Sequence, residues 1–326
     1  MNQPCKGCGH PLQNSDPKAL GYSPKVGSAY CQSCFRYKHY KDVSTIKKEM
    51  PKQPSYLTSG LVLWCVDSMY PEESFKSIDK SWLQDDFVMI LTKFDVYPTH
   101  LWHARLDQIK ALCVRYQLHP LYMVPFSKQL PWTKDHILQA MKASARTTFS
   151  CIGRVNAGKS SLINALINES SLLTSPYAHT TQAPVTMPFD EFTLIDYPGF
   201  DDTPHPFDTL EHHIIESVHV DGLIKPITYN LKRDCVIQIE DVALIECHLQ
   251  EASSITLYMS AQSKSFKRNL SLLESNPYEH SKTFQGSCDI EITHVCWMHV
   301  VGTTCEISVH THPNLTIKET KDVLCW

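Results

Sequence analysis

The segment GRVNAGKS, Gly153 to Ser160, has the residue types and spacing of a loop that binds phosphate groups. In this pattern backbone N–H groups surround the phosphates, Lys159 reaches the β and γ oxygens, and the Ser160 hydroxyl is a Mg²⁺ ligand. A predicted strand (147–152) precedes the loop and a predicted helix (SLINALI) follows it, as this motif requires. The predicted phosphate contacts are Gly153, Asn156, Ala157, Gly158, Lys159, Ser160 and Ser161.

A second motif, TKFD, begins at Thr92 and predicts a site for guanine. Asp95 can accept hydrogen bonds from both N1 and the exocyclic amine of guanine, a pairing that adenine cannot offer. Lys93 is predicted to pack its stem over the base and to tie back to the phosphate loop, and Thr92 stands where many GTPases have Asn. The later segment PFSK is predicted to supply the second base-contacting loop, with Ser127 as its contact.

The tetrapeptide DYPG, which ends at Gly199, predicts the part of the site that senses the γ-phosphate. Asp196 is expected to contact the Mg²⁺ ion indirectly, from behind its direct ligands, and the Gly199 amide to meet the γ-phosphate. The upstream triplet HTT is expected to complete the magnesium coordination through Thr181. Lys159, Thr181, Asp196 and Gly199 are therefore the predicted catalytic group.

Residue 200 is where Ras-like enzymes keep the glutamine that orients the attacking water, and here it is Phe200. A phenyl ring cannot do this, so turnover is very slow or another group completes the site. In the form GxxNxGKS, Asn156 can ligate a monovalent cation such as K⁺, which would do part of the electrostatic work of an arginine finger. The alternative is that Asn156 only shapes the loop.

The order of these motifs is rotated, because TKFD precedes GRVNAGKS and DYPG comes last. An ordinary GTPase begins with the phosphate loop, so the order predicts a circularly permuted domain. Such a domain ends just after its nucleotide-sensing switch. The region that follows would then be attached directly to the segment that moves on hydrolysis.

The elements around the motifs predict an α/β fold. Apolar runs at 61–66, 87–91 and 121–124 predict strands, and the segments 72–82, 101–118 and 136–144 between and after them predict helices. This alternation indicates a parallel sheet with ligands at the carboxyl ends of its strands. After Gly222 the periodicity changes to two, in ITYNL, CVIQI, ITLYMS, DIEITHVCWMHV and CEISVHTH, which predicts a separate β-rich domain.

Two CxxC pairs near the N-terminus, Cys5/Cys8 and Cys31/Cys34, predict a metal centre. Four thiolates suit structural, tetrahedral zinc, and a rubredoxin-like iron site is the alternative. The chain has 13 cysteines and no secretory signal core, so a disulfide framework is not expected. Five later residues, Cys288, His294, Cys296, His299 and Cys305, could suggest a second metal site, but they lack metal-ligand spacing, and the cysteines are interpreted as buried thiols.

Charge is distributed unevenly along the 326 residues. Residues 1–60 contain nine Lys and Arg residues and three Asp and Glu residues. The rest of the chain contains 21 Lys and Arg residues and 31 Asp and Glu residues. A basic head suggests an anionic partner, and in FRYKHYKDV (35–43) aromatic rings alternate with cations, as in RNA contacts. The alternative is that these rings pack the small zinc module and the lysines are solvated.

The segment PKQPSYLTSG (51–60) has linker composition, which predicts a domain boundary near residue 55. The predicted domains are a Cys₄ zinc-binding module (1–55), a circularly permuted GTPase domain (56–221) and a β-rich domain that interacts with RNA or protein (222–326). The longest strongly apolar stretch, at 61–66, is too short to cross a bilayer. A cytoplasmic location is therefore expected.

With CKGCG…CQSCFRYKHY, TKFD, GRVNAGKS and DYPG in this order, the chain resembles the YqeH-type circularly permuted GTPases of ribosome assembly over nearly its whole length. The resemblance implies a zinc-finger GTPase that helps mature the small ribosomal subunit by nucleotide-dependent binding of ribosomal RNA. It also implies a hydrophobic residue in place of the catalytic glutamine and stimulation by potassium. The departures are Tyr197 for threonine in DTPG, AHTT for PGTT, and Lys128 for alanine.

Three functions remain open at this point. The first is a switch enzyme that uses GTP, with Mg²⁺, Zn²⁺ and K⁺ as its ions, to control affinity for a subunit precursor, its rRNA or ribosomal proteins. The second is an RNA-binding scaffold that binds GTP without hydrolysing it, which Phe200 favours. The third is a small-molecule kinase, which TKFD and the lack of an acceptor-site signature disfavour.

Overall fold

The computed structural model describes residues 3–40, 60–83, 86–167, 183–200, 210–220, 222–272 and 276–320. The chain divides into two compact units, the first comprising residues 1–95 and 105–204 and the second 96–104 and 205–326. Thr181 and the rest of HTT lie outside the described residues, as do nearly all of the predicted linker and residues 201–209. The three-domain division by sequence stays a prediction.

The described part of the first unit contains a six-stranded sheet in the order β3-β2-β1-β4-β6-β5. Its strands are β1 (Leu61–Asp67), β2 (Phe87–Thr92), β3 (Tyr122–Pro125), β4 (Thr148–Gly153), β5 (Val185–Phe189) and β6 (Phe192–Asp196). Only β5 is antiparallel to its neighbour. Every residue of β1 and β2 is buried, as is typical of central strands in a parallel sheet. The predicted parallel α/β fold is confirmed.

The helices within the described ranges are α1 (Gln32–Tyr40), α2 (Pro71–Ser77), α3 (Trp102–Tyr116), α4 (Pro131–Ala143), α5 (Lys159–Leu166) and α6 (His212–Val218). The expectation of one helix over 72–82 is wrong in its extent. The helix ends at Ser77, and the Asp79 carboxylate accepts a hydrogen bond from the Ser81 amide at 2.9 Å to begin a separate 3₁₀ turn. α4 begins earlier than predicted because Pro131 suits a first helical turn.

The core of the first unit lies against the sheet beneath the phosphate loop. Phe149 of β4, Met141 of α4 and Leu162 of α5 are all fully buried in it. Their close packing makes the strand that leads into the loop, and the helix that leaves it, a rigid frame. No helix in the described ranges is both long and apolar enough to cross a bilayer.

The second unit contains two five-stranded antiparallel sheets among its described residues, in the orders β16-β13-β14-β10-β7 and β11-β8-β9-β15-β12. The strands are β7 (Ile224–Leu231), β8 (Cys235–Ile239), β9 (Ala243–Leu249), β10 (Ser253–Ser260), β11 (Ser265–Asn269), β12 (His280–Gln285), β13 (Cys288–Ile292), β14 (Cys296–Val301), β15 (Cys305–Thr311) and β16 (Ile317–Thr320). DIEITHVCWMHV, expected as one strand, forms the hairpin β13–β14, with His294 at a φ of 66° in the turn. The predicted β-rich C-terminal region is confirmed.

Candidate nucleotide and metal sites

The phosphate loop leaves β4 at Gly153 and enters α5 at Lys159, and its backbone requires glycine at two positions. Gly153 has a φ of 155° and Gly158 a φ of 83°. A Cβ at Gly153 would lie 2.5 Å from the Cys65 carbonyl oxygen, and one at Gly158 would lie 3.2 Å from the Thr92 Cβ. Space and conformation both require glycine at residue 153, and the positive φ favours glycine at residue 158, which explains the spacing of the glycines in the motif.

Lys159 lies inside this loop. It is only 6% exposed, and its Nζ donates hydrogen bonds to the carbonyl oxygens of Gly153 at 3.0 Å and Arg154 at 2.8 Å. Burial lowers the pKa of the Lys159 ammonium, and the Asp196 carboxylate opposes that shift. A cation held at the start of α5, where the helix dipole adds positive potential, suits binding of phosphate oxygens.

Ser160, a predicted magnesium ligand, and Asp196, predicted to contact the ion indirectly, lie side by side. Asp196 ends β6 and is fully buried, and the Ser160 hydroxyl donates to its Oδ2 at 3.3 Å. A hydroxyl and a carboxylate are the oxygen donors that Mg²⁺ prefers, so these residues fit the ion that a GTPase fold implies. The other predicted ligand, Thr181, lies outside the described residues.

The DYPG segment packs directly on the phosphate loop. The Tyr197 amide donates to the Cys151 carbonyl at 3.1 Å, and the Phe200 amide donates to that of Gly153 at 3.3 Å. A Cβ at Gly199 would lie 2.8 Å from the Val155 Cα, so only glycine allows this approach. Movement of Gly199 toward a γ-phosphate would therefore change its packing against Val155 of the loop.

The ring of Phe200 is turned into the protein interior. The side chain is 3% exposed, and its ring centroid lies 5.2 Å from that of Trp82 in an edge-to-face arrangement. This aromatic contact gives the phenyl ring a structural role. A buried ring cannot orient a water molecule, so residue 200 contributes nothing to proton transfer.

The TKFD motif closes β2 next to the phosphate loop, and Thr92 makes the connection. The Thr92 hydroxyl donates to the Ala157 carbonyl oxygen at 2.8 Å. Lys93, predicted to make this connection, instead places its Nζ 2.7 Å from Asp67 Oδ2. The other Asp67 oxygen accepts from the Met69 amide at 2.9 Å. Thr92 therefore links the two motifs in the structure, and the predicted role of Lys93 toward a bound nucleotide stays a prediction.

Asp67 is a site residue that sequence reasoning missed. It is 9% exposed at the end of β1, and its ion pair with Lys93 fixes the lysine beside the predicted base site. An acidic residue directly after the apolar run 61–66 was the available signal. Arg154 is a second omission, since it forms an ion pair with Glu73 of α2, 81 residues away in sequence.

The segment after β3 lies beside TKFD, as predicted. The Phe126 amide donates to the Leu91 carbonyl at 2.8 Å, and the Phe94 amide donates to the Phe126 carbonyl at 3.4 Å. Ser127 is buried, and its hydroxyl accepts from the Gln129 amide at 2.9 Å. Asp95 is half-buried in the 3₁₀ turn that follows β2. Both predicted base-contacting segments therefore meet at one end of the sheet.

The four predicted zinc ligands form a closed cluster. Cys5, Cys8, Cys31 and Cys34 are buried, and their sulfur atoms all lie within 4.8 Å of one another. The Sγ atoms of Cys8 and Cys31 are 3.9 Å apart. This agrees with the separation of roughly 3.8 Å between two sulfurs that bind one tetrahedral zinc ion through bonds of about 2.3 Å. Hydrogen bonding from Cys31 lowers the pKa of the Cys5 thiol, and the Gly7 amide donates to its sulfur at 3.4 Å. The donor set fits a structural zinc ion.

The aromatic residues of α1 divide between two roles. Tyr37 is buried and packs with the four cysteines, as expected if the rings pack the zinc module and do not contact RNA. Phe35 and Tyr40 are 44% and 73% exposed, and the rings of Phe35 and His39 lie 4.4 Å apart. One face of α1 therefore presents rings to solvent.

No second metal site is found in the described ranges, where the Cys₄ cluster is the one group with suitably placed ligand atoms. His299 is instead paired with Asp289 at 2.6 Å on neighbouring strands. Burial raises the pKa of both Cys288 and Cys296 to about 12. These are the properties of protonated thiols in a packed β structure.

Part of the chain is similar to known GTPases. Residues 148–263 match the family model described as 50S ribosome-binding GTPase. GTPase Der of Streptococcus mutans is 39% identical over 72 residues, which cover 21% of this chain and 16% of that protein. GTPase Der of Protochlamydia amoebophila is 33% identical over 120 residues, which cover 31% of this chain and 25% of that protein. The chain thus spans a quarter or less of the length of these relatives.

A solved structure described as GDP-bound TM YlqF is 14% identical, with a TM-score of 0.32, and the match covers 48% of this chain and 68% of that one. The family match begins in β4 and includes the phosphate loop and DYPG, whereas TKFD lies before it. The described residues form an α/β fold with a parallel sheet, a Cys₄ cluster on its N-terminal side and a β-rich C-terminal region, and residues 148–263 match a GTPase family model.

Proposed function

We propose that this protein is a GTP-binding and GTP-hydrolysing switch that assists assembly of the small ribosomal subunit. The observation that carries the proposal is the direct link between two motifs. The hydroxyl of Thr92, in the guanine motif, hydrogen-bonds to Ala157, in the phosphate loop. TKFD and the phosphate loop are therefore adjacent at one end of the sheet, where one nucleotide can be bound through both its base and its phosphates.

Each part of the site has a role in this proposal. Asp95, Lys93 and Ser127 bind guanine, and Asp67 holds Lys93 in place. Backbone N–H groups of the loop and Lys159 bind the phosphates, with contacts at Gly153, Asn156, Ala157, Gly158, Ser160 and Ser161. Ser160, Thr181 and Asp196 hold Mg²⁺, which supplies charge neutralisation to the phosphates when bound. Gly199 reports the presence of the γ-phosphate to the segment behind it.

The hydrolysis is expected to be slow and dependent on an added cation. Phe200 is buried against Trp82, so the side chain at position 200 does not activate water. Asn156 has a φ of 61°, a left-handed conformation in the middle of the loop. In this proposal its side chain ligates K⁺ between the phosphates and so stabilises the developing negative charge.

The motif order supports a circular permutation. In the sheet, β2 with TKFD and β4 with the phosphate loop flank β1, yet β2 comes first along the chain. A permuted domain over 56–221 places the β-rich domain, 222–326, immediately behind the γ-phosphate sensor. A change at Gly199 is then transmitted to a segment that binds RNA or protein.

A ribosomal partner is supported by charge, exposed rings and relatives. The zinc module, residues 1–55, is basic and presents Phe35 and Tyr40 on α1, where unpaired RNA bases can stack. The matching family is described as 50S ribosome-binding, whereas the resemblance to YqeH-type proteins implies the small subunit. We favour the small subunit and its rRNA, and the experiment below includes both subunits.

A second function is favoured by one observation, the buried ring of Phe200. In that case the protein binds GTP without turnover and serves as an RNA-binding scaffold. The intact Lys159, Ser160 and Asp196 group argues against it, because these residues also stabilise the charge that develops when the γ-phosphate is transferred.

The test is cosedimentation of the full chain with purified 30S or 50S particles, in GMPPNP, in GDP and without nucleotide. We expect binding to 30S to be at least tenfold tighter in GMPPNP than in GDP. This difference should vanish in Lys159→Ala and persist in Lys142→Ala, which removes an exposed lysine of α4. Binding that ignores nucleotide would contradict the switch, and binding to 50S alone would contradict the choice of subunit.

A further inference from the structure

The zinc module contacts the nucleotide-binding sheet at one place beside β5. The Ala183 amide donates a hydrogen bond to the carbonyl oxygen of Cys8 at 3.1 Å. At the next residue, Gly9, φ is 81°, and an added Cβ would lie 2.4 Å from the Ala183 oxygen and 3.1 Å from Val185 Cγ2. The two backbones can come this close only because residue 9 has no side chain.

On each side, this contact is directly connected to a residue of a candidate metal site. Cys8 gives its sulfur to the zinc cluster and its carbonyl to Ala183. Val185 begins β5 and pairs with Asp196 of β6, the carboxylate that accepts from Ser160. In the sequence, Ala183 also follows Thr181 by two residues. The contact therefore lies between the metal cluster and the magnesium side of the nucleotide site.

We propose that this contact couples zinc retention to nucleotide occupancy, so that the protein releases zinc more slowly when GTP and Mg²⁺ are bound. The proposal rests on the proposed function, since it requires a guanine nucleotide at Asp196. Nucleotide binding restricts the Ala183–Val185 segment through Asp196, which pairs with Val185, and this favours the docked position of Cys8 and Gly9. The same contact also couples the two equilibrium affinities. Because coupling between binding free energies is reciprocal, zinc removal must weaken nucleotide binding by the same factor by which nucleotide removal weakens zinc binding.

The chain offers a matched pair of glycines for the test. Gly27 has a φ of 76°, close to that of Gly9, but no atom lies within 4 Å of an added Cβ. Gly9→Ala and Gly27→Ala therefore impose similar backbone strain on the same module, and only Gly9→Ala obstructs the contact. Neither variant removes a zinc ligand.

A second variant approaches the contact from the other side. Ala183→Pro removes the N–H that donates to Cys8 while leaving the zinc module unchanged. Pro184 already favours an extended backbone at residue 183, which a proline can adopt. If Gly9→Ala fails to fold, Ala183→Pro tests by itself whether the contact couples zinc retention to nucleotide binding.

The experiment measures zinc release from the full chain into a chromogenic zinc chelator in excess Mg²⁺, with GMPPNP, with GDP and without nucleotide. We expect release from the wild type to be about 5-fold or more slower in GMPPNP, the lower end of usual couplings. Gly27→Ala should keep this dependence, and Gly9→Ala and Ala183→Pro should lose it while binding zinc at one ion per chain.

Nucleotide affinity, measured by calorimetry on the same preparations, separates two kinds of failure. Wild-type protein that binds GMPPNP and releases zinc at an unchanged rate would overturn the coupling and leave the proposed function standing. Wild-type protein that binds no guanine nucleotide would overturn both. Nucleotide-dependent release that survives in Gly9→Ala and Ala183→Pro would overturn the assignment to this contact.

Discussion

Replacing Asp95 with asparagine is expected to weaken GTP binding by roughly 10²- to 10⁴-fold, because two hydrogen bonds to a charged acceptor are each worth about 1.5–3 kcal/mol. The carboxylate accepts from both N1 and the exocyclic amine of guanine, whereas an asparagine amide turns one acceptor into a donor. Xanthine carries an oxygen where guanine has the amine. The variant should therefore gain affinity for xanthosine triphosphate, as measured by titration calorimetry with both nucleotides.

The control for this experiment is Asp107→Asn, which alters a carboxylate of α3 whose side chain is 70% exposed and forms an ion pair with Lys110 at the surface. It should bind GTP as the wild type does. Equal losses of GTP and xanthosine triphosphate binding in Asp95→Asn would contradict base recognition by Asp95. Unchanged GTP affinity would favour the kinase interpretation, which does not require guanine.

Replacing Cys8 with serine is expected to release zinc and to unfold the described part of the N-terminal module, residues 3–40. The buried cluster there consists of the four cysteines and Tyr37, with Leu12 and Tyr30 packed against it. So small an apolar core cannot hold the fold alone, and a Cys₄ zinc site contributes about 10 kcal/mol or more of apparent binding energy. Zinc content by mass spectrometry and hydrogen exchange over residues 3–40 measure both effects.

Cys288→Ser is the matched control, because Cys288 is a partly exposed thiol of β13 outside the cluster. It should retain one zinc per chain and normal exchange protection. Full protection of residues 3–40 in zinc-free Cys8→Ser would show that the module does not depend on the metal. Iron in place of zinc in the wild type would select the rubredoxin-like alternative.

The α/β fold was predictable because its signals are local. Apolar runs long enough for a strand alternate with helical segments, and the phosphate loop has its required strand before and helix after. The polar strands β11 and β12 gave no such signal. They lie at the two edges of their sheet, so most of their side chains face solvent and no alternation is imposed.

The site was predictable where a motif determines the backbone and unpredictable where distant residues meet. Gly158 and Lys159 lie where the motif requires, since their conformation depends on immediate neighbours. The pairing of Lys93 with Asp67 depends on the register of β1 and β2, which sequence spacing does not reveal. The contact of Gly9 with Ala183 is likewise set by packing between segments far apart in the chain.

The most direct test of the central claim, a cation-assisted GTPase that acts on a ribosomal particle, is GTP turnover by the purified chain. Turnover is measured in potassium and in sodium buffer, with and without small ribosomal subunits, and Lys159→Ala serves as the blank. We predict slow turnover that potassium and the subunits stimulate and that the blank lacks. Tight GTP binding with no turnover in any of these conditions would contradict the account and select the scaffold.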